Sequence, residues 1–505
     1  MSLSTLPVET LQQILGHFCL HCTRDPSAEP PLAYLHDGDQ APDERSWYSL
    51  QRHTLFSVCL LSKRLCSVAQ PILYHEFILG YGDSWRSDHY TWDGRLTSFI
   101  IAIARRRDLA TLVKRVYIHP YLLERFDDGP DYLSGHPRER DYITDREAGR
   151  AIRALEPVLG IRHPPRLKAY DLVTILLAAL PHLERCSLQL GPYCDRIVRG
   201  EALSACGVTE LPIRTLDISL GSDASRRDMF HLGPRARALF DVVPYLETLN
   251  LHMCGGIWAA AESTWLPKLK NLHITFSRLT AADLRGLLNS CAGLRSFTYE
   301  ASRPSEGWWN YDHFQLQDAI RYLYRHRETL ESLHLDLRKL GYDERVDPMP
   351  PGSTLREFPA LKHLLLDMQE LHRSLVPDSQ LLLQHLPPSI QSFHLVGWID
   401  FGHSRKEAGL LGLVEAISLG GYPNFKELKQ DERSVLKDEA AVSGQFARVG
   451  VTFGYDVWPS TLSTLGDADV VTPWLMIDVN LIPLCEYRDL AADRPPWPDE
   501  EDSDL

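Results

Sequence analysis

Residues 246–254 read LETLNLHMC. Leu246, Leu249 and Leu251 follow the spacing apolar, two residues, apolar, one residue, apolar. Leu249 and Leu251 are two apart, so in an extended chain both leave the same face, while Asn250 and His252 leave the other. One strand cannot bury such an apolar face, but stacked copies can. The spacing returns at Leu183-Cys186-Leu188, Ile213-Leu216-Ile218, Leu269-Leu272-Ile274, Leu294-Phe297-Tyr299, Leu330-Leu333-Leu335, Leu361-Leu364-Leu366 and Ile390-Phe393-Leu395. A degenerate copy is expected at Phe425-Leu428, and an early one stands at Val113-Val116-Ile118. From Leu183 onward the copies start 23 to 36 residues apart. A short motif at that repeat length marks a solenoid. Helical runs precede several copies: Leu172–Leu180, Ala236–Val243, Ala282–Leu288, Ala319–Tyr324 and Gly409–Ile417. Strand and helix therefore alternate, which predicts an α/β solenoid with a parallel sheet on its concave side.

These motifs resemble leucine-rich repeats, irregular in detail. Only 246–254 carries the family's terminal Cys; the corresponding residues elsewhere include Ser277, Ser302, Arg338, Gln369 and Trp398. The family's buried Asn or Cys ladder is thus mostly missing. Two insertions interrupt the array: 119–170, with a helix predicted near Asp145–Val158, and 300–314, which contains SEGWWNYDHF. Trp308, Trp309, Tyr311 and Phe314 could anchor a partner, since buried aromatics dominate hot spots; the alternative is that these rings cover the edge of the core. A last strand is expected at Val449-Val451-Phe453.

The N-terminal region reads differently. Leu6–Leu15 is LPVETLQQIL and Thr54–Leu79 is TLFSVCLLSKRLCSVAQPILYHEFIL. Pro7 suits a first helical turn, and Glu9 suits the positive end of the helix. Leu11, Ile14, Leu15 and Phe18 form one stripe at helical spacing. Leu55, Val58, Cys59, Leu61, Leu65 and Val68 form another, with Lys63 and Arg64 turned outward and Pro71 as punctuation. Short helices of this kind bury little surface, and apolar side chains left over would make a docking face. Leu6-Pro7, Ile14-Leu15, the Val58–Arg64 run and Pro71–Tyr74 together resemble an F-box. The resemblance implies a three-helix fold that docks onto the Skp adaptor of a cullin-RING ubiquitin ligase. Carried onto this chain, the adaptor-binding residues are Leu6, Pro7, Ile14, Leu15, Val58 and Leu60. Residues 22–53 separate the helices where the family has a short turn. Rich in Pro, Asp and Glu, they are expected to form a mostly disordered loop. The alternative for these helices is an ordinary cap on the solenoid. The order, F-box then degenerate repeats, resembles a class common in filamentous fungi. The expected division is F-box 1–79, linker 80–95, solenoid 96–487 and acidic tail 488–505.

Composition limits the function classes. With 505 residues the chain exceeds one typical compact domain. A net charge of −14 argues against general nucleic-acid binding. No basic region precedes the N-terminal apolar stretch and no apolar run reaches membrane-spanning length, so neither a secretory signal nor a membrane helix is expected. Ten cysteines are scattered through the chain, as in a reducing compartment. The expected location is cytoplasmic or nuclear.

Catalytic motifs are absent from the sequence. His75-Glu76 opens like a zinc-protease helix, but residue 79 is Leu. Gly80-Tyr-Gly82 lacks the third glycine of a dinucleotide loop, and neither a phosphate-binding loop nor a Gly-x-Ser-x-Gly elbow occurs. Cys19-x-x-Cys22 with His17 and His21 is the only metal-like cluster and lacks a second ligand pair at finger spacing. No metal and no cofactor are therefore expected. Binding should fall to the concave sheet. One column there reads Asn250, His273, Thr298, His334, Leu365, His394, and the next His252, Thr275, Glu300, Asp336, Asp367, Val396. The three histidines His273, His334 and His394 fall on alternate strands, too far apart to share a metal. Glu300, Asp336 and Asp367 could attract a basic segment of a protein substrate; the alternative is polar filler on an exposed face. The resemblance implies a non-enzymatic subunit whose partners are the Skp adaptor, cullin, RING subunit and an unknown protein substrate. A non-catalytic interaction scaffold with a vestigial or ligase-independent F-box is the alternative.

Overall fold

The motif's alternation becomes a sheet. The computed structural model describes residues 6–23, 47–78, 95–118, 122, 150, 153–155, 157, 169–190, 203, 207–220, 229–233, 237–257, 265–302, 313–337, 354–367, 376–396, 403–431 and 436–456. Its strands are β1 (Glu76–Ile78), β2 (Arg115–Ile118), β3 (Arg185–Leu190), β4 (Thr215–Leu220), β5 (Phe230–Leu232), β6 (Thr248–His252), β7 (Cys254–Ile257), β8 (Asn271–Ser277), β9 (Ser296–Ala301), β10 (Ser332–Asp336), β11 (His363–Asp367), β12 (Ser392–Val396), β13 (Glu427–Asp431) and β14 (Thr452–Asp456). Twelve of them form one parallel sheet in chain order, omitting only β5 and β7, which pair with each other. The chain is a leucine-rich-repeat-like solenoid.

Register follows the motif. Leu249, Leu272, Phe297, Leu333, Leu364, Phe393 and Leu428 are successive partners. All seven are buried in one continuous core that runs from Leu96 to Val451. The chain returns between strands through helices Ala169–Ala178, Arg237–Asp241, Ala281–Asn289, Leu316–Leu323 and His403–Ser418, close to the runs expected from periodicity. Backbone groups at the strand entrances are satisfied by a ladder. The Lys114 carbonyl accepts from the N–H groups of Glu184 and Arg185, that of Glu184 from Arg214 and Thr215, and so on to Lys426, which accepts from Thr452. Where the strands end, Ser277 replaces the missing ladder residue: its Oγ accepts the Cys254 N–H at 2.9 Å. The Tyr299 hydroxyl takes the Leu279 N–H and donates to the Ser277 carbonyl.

The degenerate copy Phe425-Leu428 keeps the register, with Leu428 opposite Phe393, while the last strand begins at Thr452 rather than Val449. Phe425 and Val451 stay outside as buried anchors, and the strands run from Glu427 and Thr452. Within insertion 119–170, only Leu122, Arg150, Arg153–Leu155, Pro157 and the start of helix Ala169–Ala178 are described. Trp308, Trp309 and Tyr311, the linker 80–94 and the tail 488–505 lie outside the described residues. Phe314 is buried against Tyr299, in the core.

The N-terminal helices are α1 (Val8–Gly16), α2 (Leu20–Thr23), α3 (Trp47–Leu61) and α4 (Lys63–Tyr74). They share a small core of Leu11, Leu15, Cys19, Leu55, Val58, Leu65, Val68, Ala69 and Ile72. Ser62 separates α3 from α4: its backbone is extended and its Oγ accepts the Leu65 N–H, an N-cap. Two expected boundaries need correction. Helix occupies 47–53 and 22–23, inside the stretch read as a loop over 22–53. No Gly or Pro interrupts Trp47–Leu61, so α3 extends backward from its packed half although its early turns lack a clean stripe. At the other end, residues 76–78 are not a tail of the helical unit. They form β1, paired in register with β2 through Glu76 and Arg115, Phe77 and Val116, and Ile78 and Tyr117.

Candidate functional site

On the helical unit, inward and outward positions separate by helical spacing. Leu11 and Leu15 of α1 and Leu55 and Val58 of α3 turn into the small core. Val8, Ile14, Phe56, Leu60 and Leu61 turn out; Leu60 and Leu61 are 71% and 67% exposed. Of the six residues expected to touch an adaptor, Ile14 and Leu60 are exposed apolar side chains, Pro7 caps α1 at the surface and Leu6 is half-buried against the unit's core. Leu15 and Val58 are corrected: at 4% and 9% exposure they hold the helices together. Leu61, read as part of the packed stripe, is exposed, and Phe56 adds a further exposed ring four residues before Leu60 on one helical face. Arg64 closes the unit by donating to the Leu6 carbonyl at 2.6 Å.

On the polar face of the sheet the first predicted column is continuous and the second is interrupted. Asn250, His273, Thr298, His334, Leu365 and His394 are successive register partners, with the histidines on alternate strands β8, β10 and β12. In the second column His252 pairs with Thr275, Glu300 with Asp336 and Asp367 with Val396. It breaks between β8 and β9, where Phe276 adopts φ 50°. The expectation of an exposed patch is overturned. His334, Asp336, Asp367 and His394 are only 2–5% exposed, and Glu300 and His273 are partly covered. Strands about 4.8 Å apart bring large side chains in register against one another, and the histidines are spent on these neighbours. His273 meets Thr298 Oγ1 at 3.1 Å, His334 meets Glu300 at 3.5 Å and His394 meets Glu427 at 3.3 Å. The hydrogen bond from His394 holds the Glu427 carboxyl below its usual range, and burial pushes His273 down to about 4.

Farther toward the N-terminus, the column that begins at Asn250 continues into a polar network on the same face. Asp217 accepts from Arg185 at 2.9 Å, from Ser187 at 2.5 Å and from Asn250 at 2.5 Å. Beside it, Tyr117 donates to Gln189 at 2.6 Å. All six side chains are nearly sealed from solvent.

The junction between the two parts gathers sulfur and imidazole. Cys19 lies just after α1, His21 and Cys22 lie on α2, and His75 lies between α4 and β1. Cys22 Sγ is 3.3 Å from His75 Nδ1 and 3.8 Å from His21 Nδ1, while Cys19 Sγ is 3.7 Å from His75 Nδ1. The His21 and His75 rings meet edge to face with centroids 4.9 Å apart. The pairing with Cys22, together with burial, pushes the Cys19 thiol up to about 12, and the same pairing draws Cys22 below its ordinary value. Behind the cluster, Glu76 accepts the His21 N–H and lies 3.9 Å from both Arg52 and Arg115. In the sequence the two halves of this cluster stand apart, Cys19-x-x-Cys22 without a second ligand pair and His75 without a second His. Only the return of the chain from α4 to β1 joins them. His17, exposed on the surface, is not among the four residues whose ligand atoms converge.

No family model matches the chain, and no curated protein matches it. Among solved structures it is similar to an internalin from Listeria monocytogenes strain 4b F2365, at 13% identity and a TM-score of 0.23, over 56% of this chain and 83% of that one. The fold assignment rests on the strand register given above. No helix among the described residues is long and apolar enough to cross a membrane.

Proposed function

We propose that this chain is the non-catalytic substrate-recognition subunit of a ubiquitin ligase of the Skp–cullin–F-box type. Its helical unit would bind the Skp adaptor, and through it the cullin and RING subunits, while the solenoid would hold a protein substrate at high effective concentration. The observation that carries the reading is the set of exposed apolar side chains on the helical unit, Ile14 on α1 and Phe56, Leu60 and Leu61 on α3. Bare leucines on so small a unit make sense as half of an interface. The acids and histidines of the sheet are not offered as the substrate surface, because they are covered. A ligase-independent scaffold is the second reading, favoured by the length of chain between α2 and α3.

The test is binding of the full chain to purified Skp adaptor, measured beside Leu60→Asp/Leu61→Asp. Burying a Leu contributes about 1.5–3 kcal/mol. Losing two and adding two desolvated charges should weaken binding at least about a hundredfold, with the melting temperature unchanged. A wild-type chain that ignores the adaptor, or a variant that binds as well, would leave only the scaffold reading.

A further inference from the structure

The junction cluster has the geometry of a metal centre. We propose that Cys19, His21, Cys22 and His75 bind one zinc ion that fastens the helical unit to the first strand of the solenoid. The ligand atoms, two thiol sulfurs and two imidazole nitrogens, all lie within 4.8 Å of one another. With Zn–S near 2.3 Å and Zn–N near 2.0–2.1 Å, a tetrahedral centre requires sulfur–nitrogen separations of about 3.5–3.6 Å. Three of the four sulfur–nitrogen distances, 3.3, 3.7 and 3.8 Å, bracket that value. With all four ligand atoms within 4.8 Å of one another, closing onto an ion needs movements on the order of an ångström or less.

Three further observations favour a metal over an accident of packing. First, two imidazoles are aimed at two sulfurs, and S–H groups are weak hydrogen-bond donors that would not by themselves collect such a set. Second, the charges balance. Two thiolates neutralise a divalent ion, leaving a centre of zero net charge, suited to a place where Cys19 is 1% exposed. The neighbouring Glu76 is already engaged by Arg52 and Arg115 and so adds no stray charge. Third, α2 is four residues long and cannot stand by itself. It is held by the buried Leu20, by the His21 N–H to Glu76 and by the cluster, which a bound ion would turn into four coordinate bonds. A structural site with no open position is expected, because all four ligands come from protein. Binding releases the thiol protons, so occupancy falls as pH is lowered.

The experiment uses the full chain, purified under reducing conditions and passed over a chelating column. Elemental analysis should give one zinc per chain. Replacement by cobalt should give the visible absorption and thiolate charge-transfer bands of tetrahedral sulfur–nitrogen ligation. Cys22→Ser and His75→Ala should each lower bound zinc at least about tenfold, and His75→Cys, which supplies another zinc ligand, should keep it. Cys59→Ser and Cys66→Ser, cysteines of the same helical unit that lie outside the cluster, should leave the zinc unchanged. Should a ligand variant fail to fold, the wild type still decides: zinc should protect Cys22 from alkylation, and chelation should expose it. Reduced wild type that takes up neither zinc nor cobalt, or zinc retained equally in Cys22→Ser, overturns the proposal. Adaptor binding enters none of these readouts, so the site stands or falls apart from the proposed function.

Discussion

Two glycines set in neighbouring helices should respond to the same substitution with opposite signs. Gly412 lies on the buried side of helix His403–Ser418, pressed against the short turn Asp378–Gln380. A Cβ built there would stand 2.0 Å from the Ser379 carbonyl oxygen, 2.8 Å from its carbonyl carbon and 3.0 Å from its Cα. Ordinary carbon–oxygen contact begins more than 1 Å farther out, and the obstacle is backbone, so no rotamer change relieves it. Helix and turn must separate, unseating Leu381, Leu382, Leu410 and Leu413, all 0–1% exposed. Overpacking of this kind costs about 1–3 kcal/mol, and a rigid backbone contact belongs at the upper end. Against it stands the helix propensity of Ala over Gly, about 0.8–1 kcal/mol. Gly412→Ala should therefore destabilise by about 2 kcal/mol. Gly444 sits mid-helix in Glu439–Arg448 with nothing within 4 Å of a built Cβ. Only propensity acts there, and Gly444→Ala should stabilise by about 0.5–1 kcal/mol. Urea titrations of wild type and both variants, followed by circular dichroism, should move the midpoint down for the first and up for the second at an unchanged slope. A neutral or stabilising Gly412→Ala would refute the close approach of helix and turn from which the magnitude was worked.

Acid should weaken the solenoid through histidines held neutral. Burial pushes His326 and His385 down to about 4. The unfolded chain protonates these near pH 6.5, so it binds more protons than the folded chain between about 6.5 and 4. Their stabilisation is complete above that window and drains away as pH falls through it, by about 2 kcal/mol per histidine at pH 5. His385 has no hydrogen-bond partner for either ring nitrogen among the described residues. His385→Leu should raise the melting temperature at pH 5 more than at pH 8, and an equal rise at both would remove His385 from the account. His326 differs, since its ring bonds the Leu288 carbonyl at 3.1 Å and the Leu294 N–H at 3.4 Å, and its removal should destabilise at every pH. Asp217→Ala should strand the buried Arg185 charge and cost about 3–5 kcal/mol. Arg185→Met/Asp217→Leu should recover most of that, and a single variant that melts like wild type would show the network to be superficial.

The solenoid was legible because its signal is periodic. Each Leu-x-x-Leu-x-Leu copy states a strand, a face and a register at once, and nine further copies repeat the statement. Even the column Asn250 to His394 could be listed before any coordinates, since alternation alone fixes it. Exposure could not. Whether Asp336 and His394 meet solvent depends on how closely neighbouring strands and connections crowd them, which no local pattern records. The helical unit shows the same limit. Leu15 and Ile14 are adjacent apolar residues of one stripe, and only packing against α4 decides that one is core and the other surface. β1 was missed because three residues carry no periodicity of their own. Its identity comes from pairing with a strand nearly forty residues away.

That short strand changes what the helical unit is. The His75 carbonyl accepts the Lys114 and Arg115 N–H groups at 2.8 and 3.1 Å, just as the Lys114 carbonyl accepts those of Glu184 and Arg185 at 2.9 and 3.0 Å. His75 is thus the first rung of the ladder that every later repeat continues, and α4 with β1 stands in the place of a repeat. A solenoid cap can also be a docking unit, because Leu60 and Leu61 stay exposed while β1 pairs with the sheet. A unit joined by a free linker could swing relative to its cargo. One whose last helix runs into an edge strand, with Glu76 buried between Arg52 of α3 and Arg115 of β2, has its orientation set by the sheet itself. The ring of His75 points into the sulfur cluster while its carbonyl opens the ladder. An ion held by that ring would therefore brace α2 against the same residue that begins the solenoid, and its loss should loosen the helical unit first and the distant repeats last.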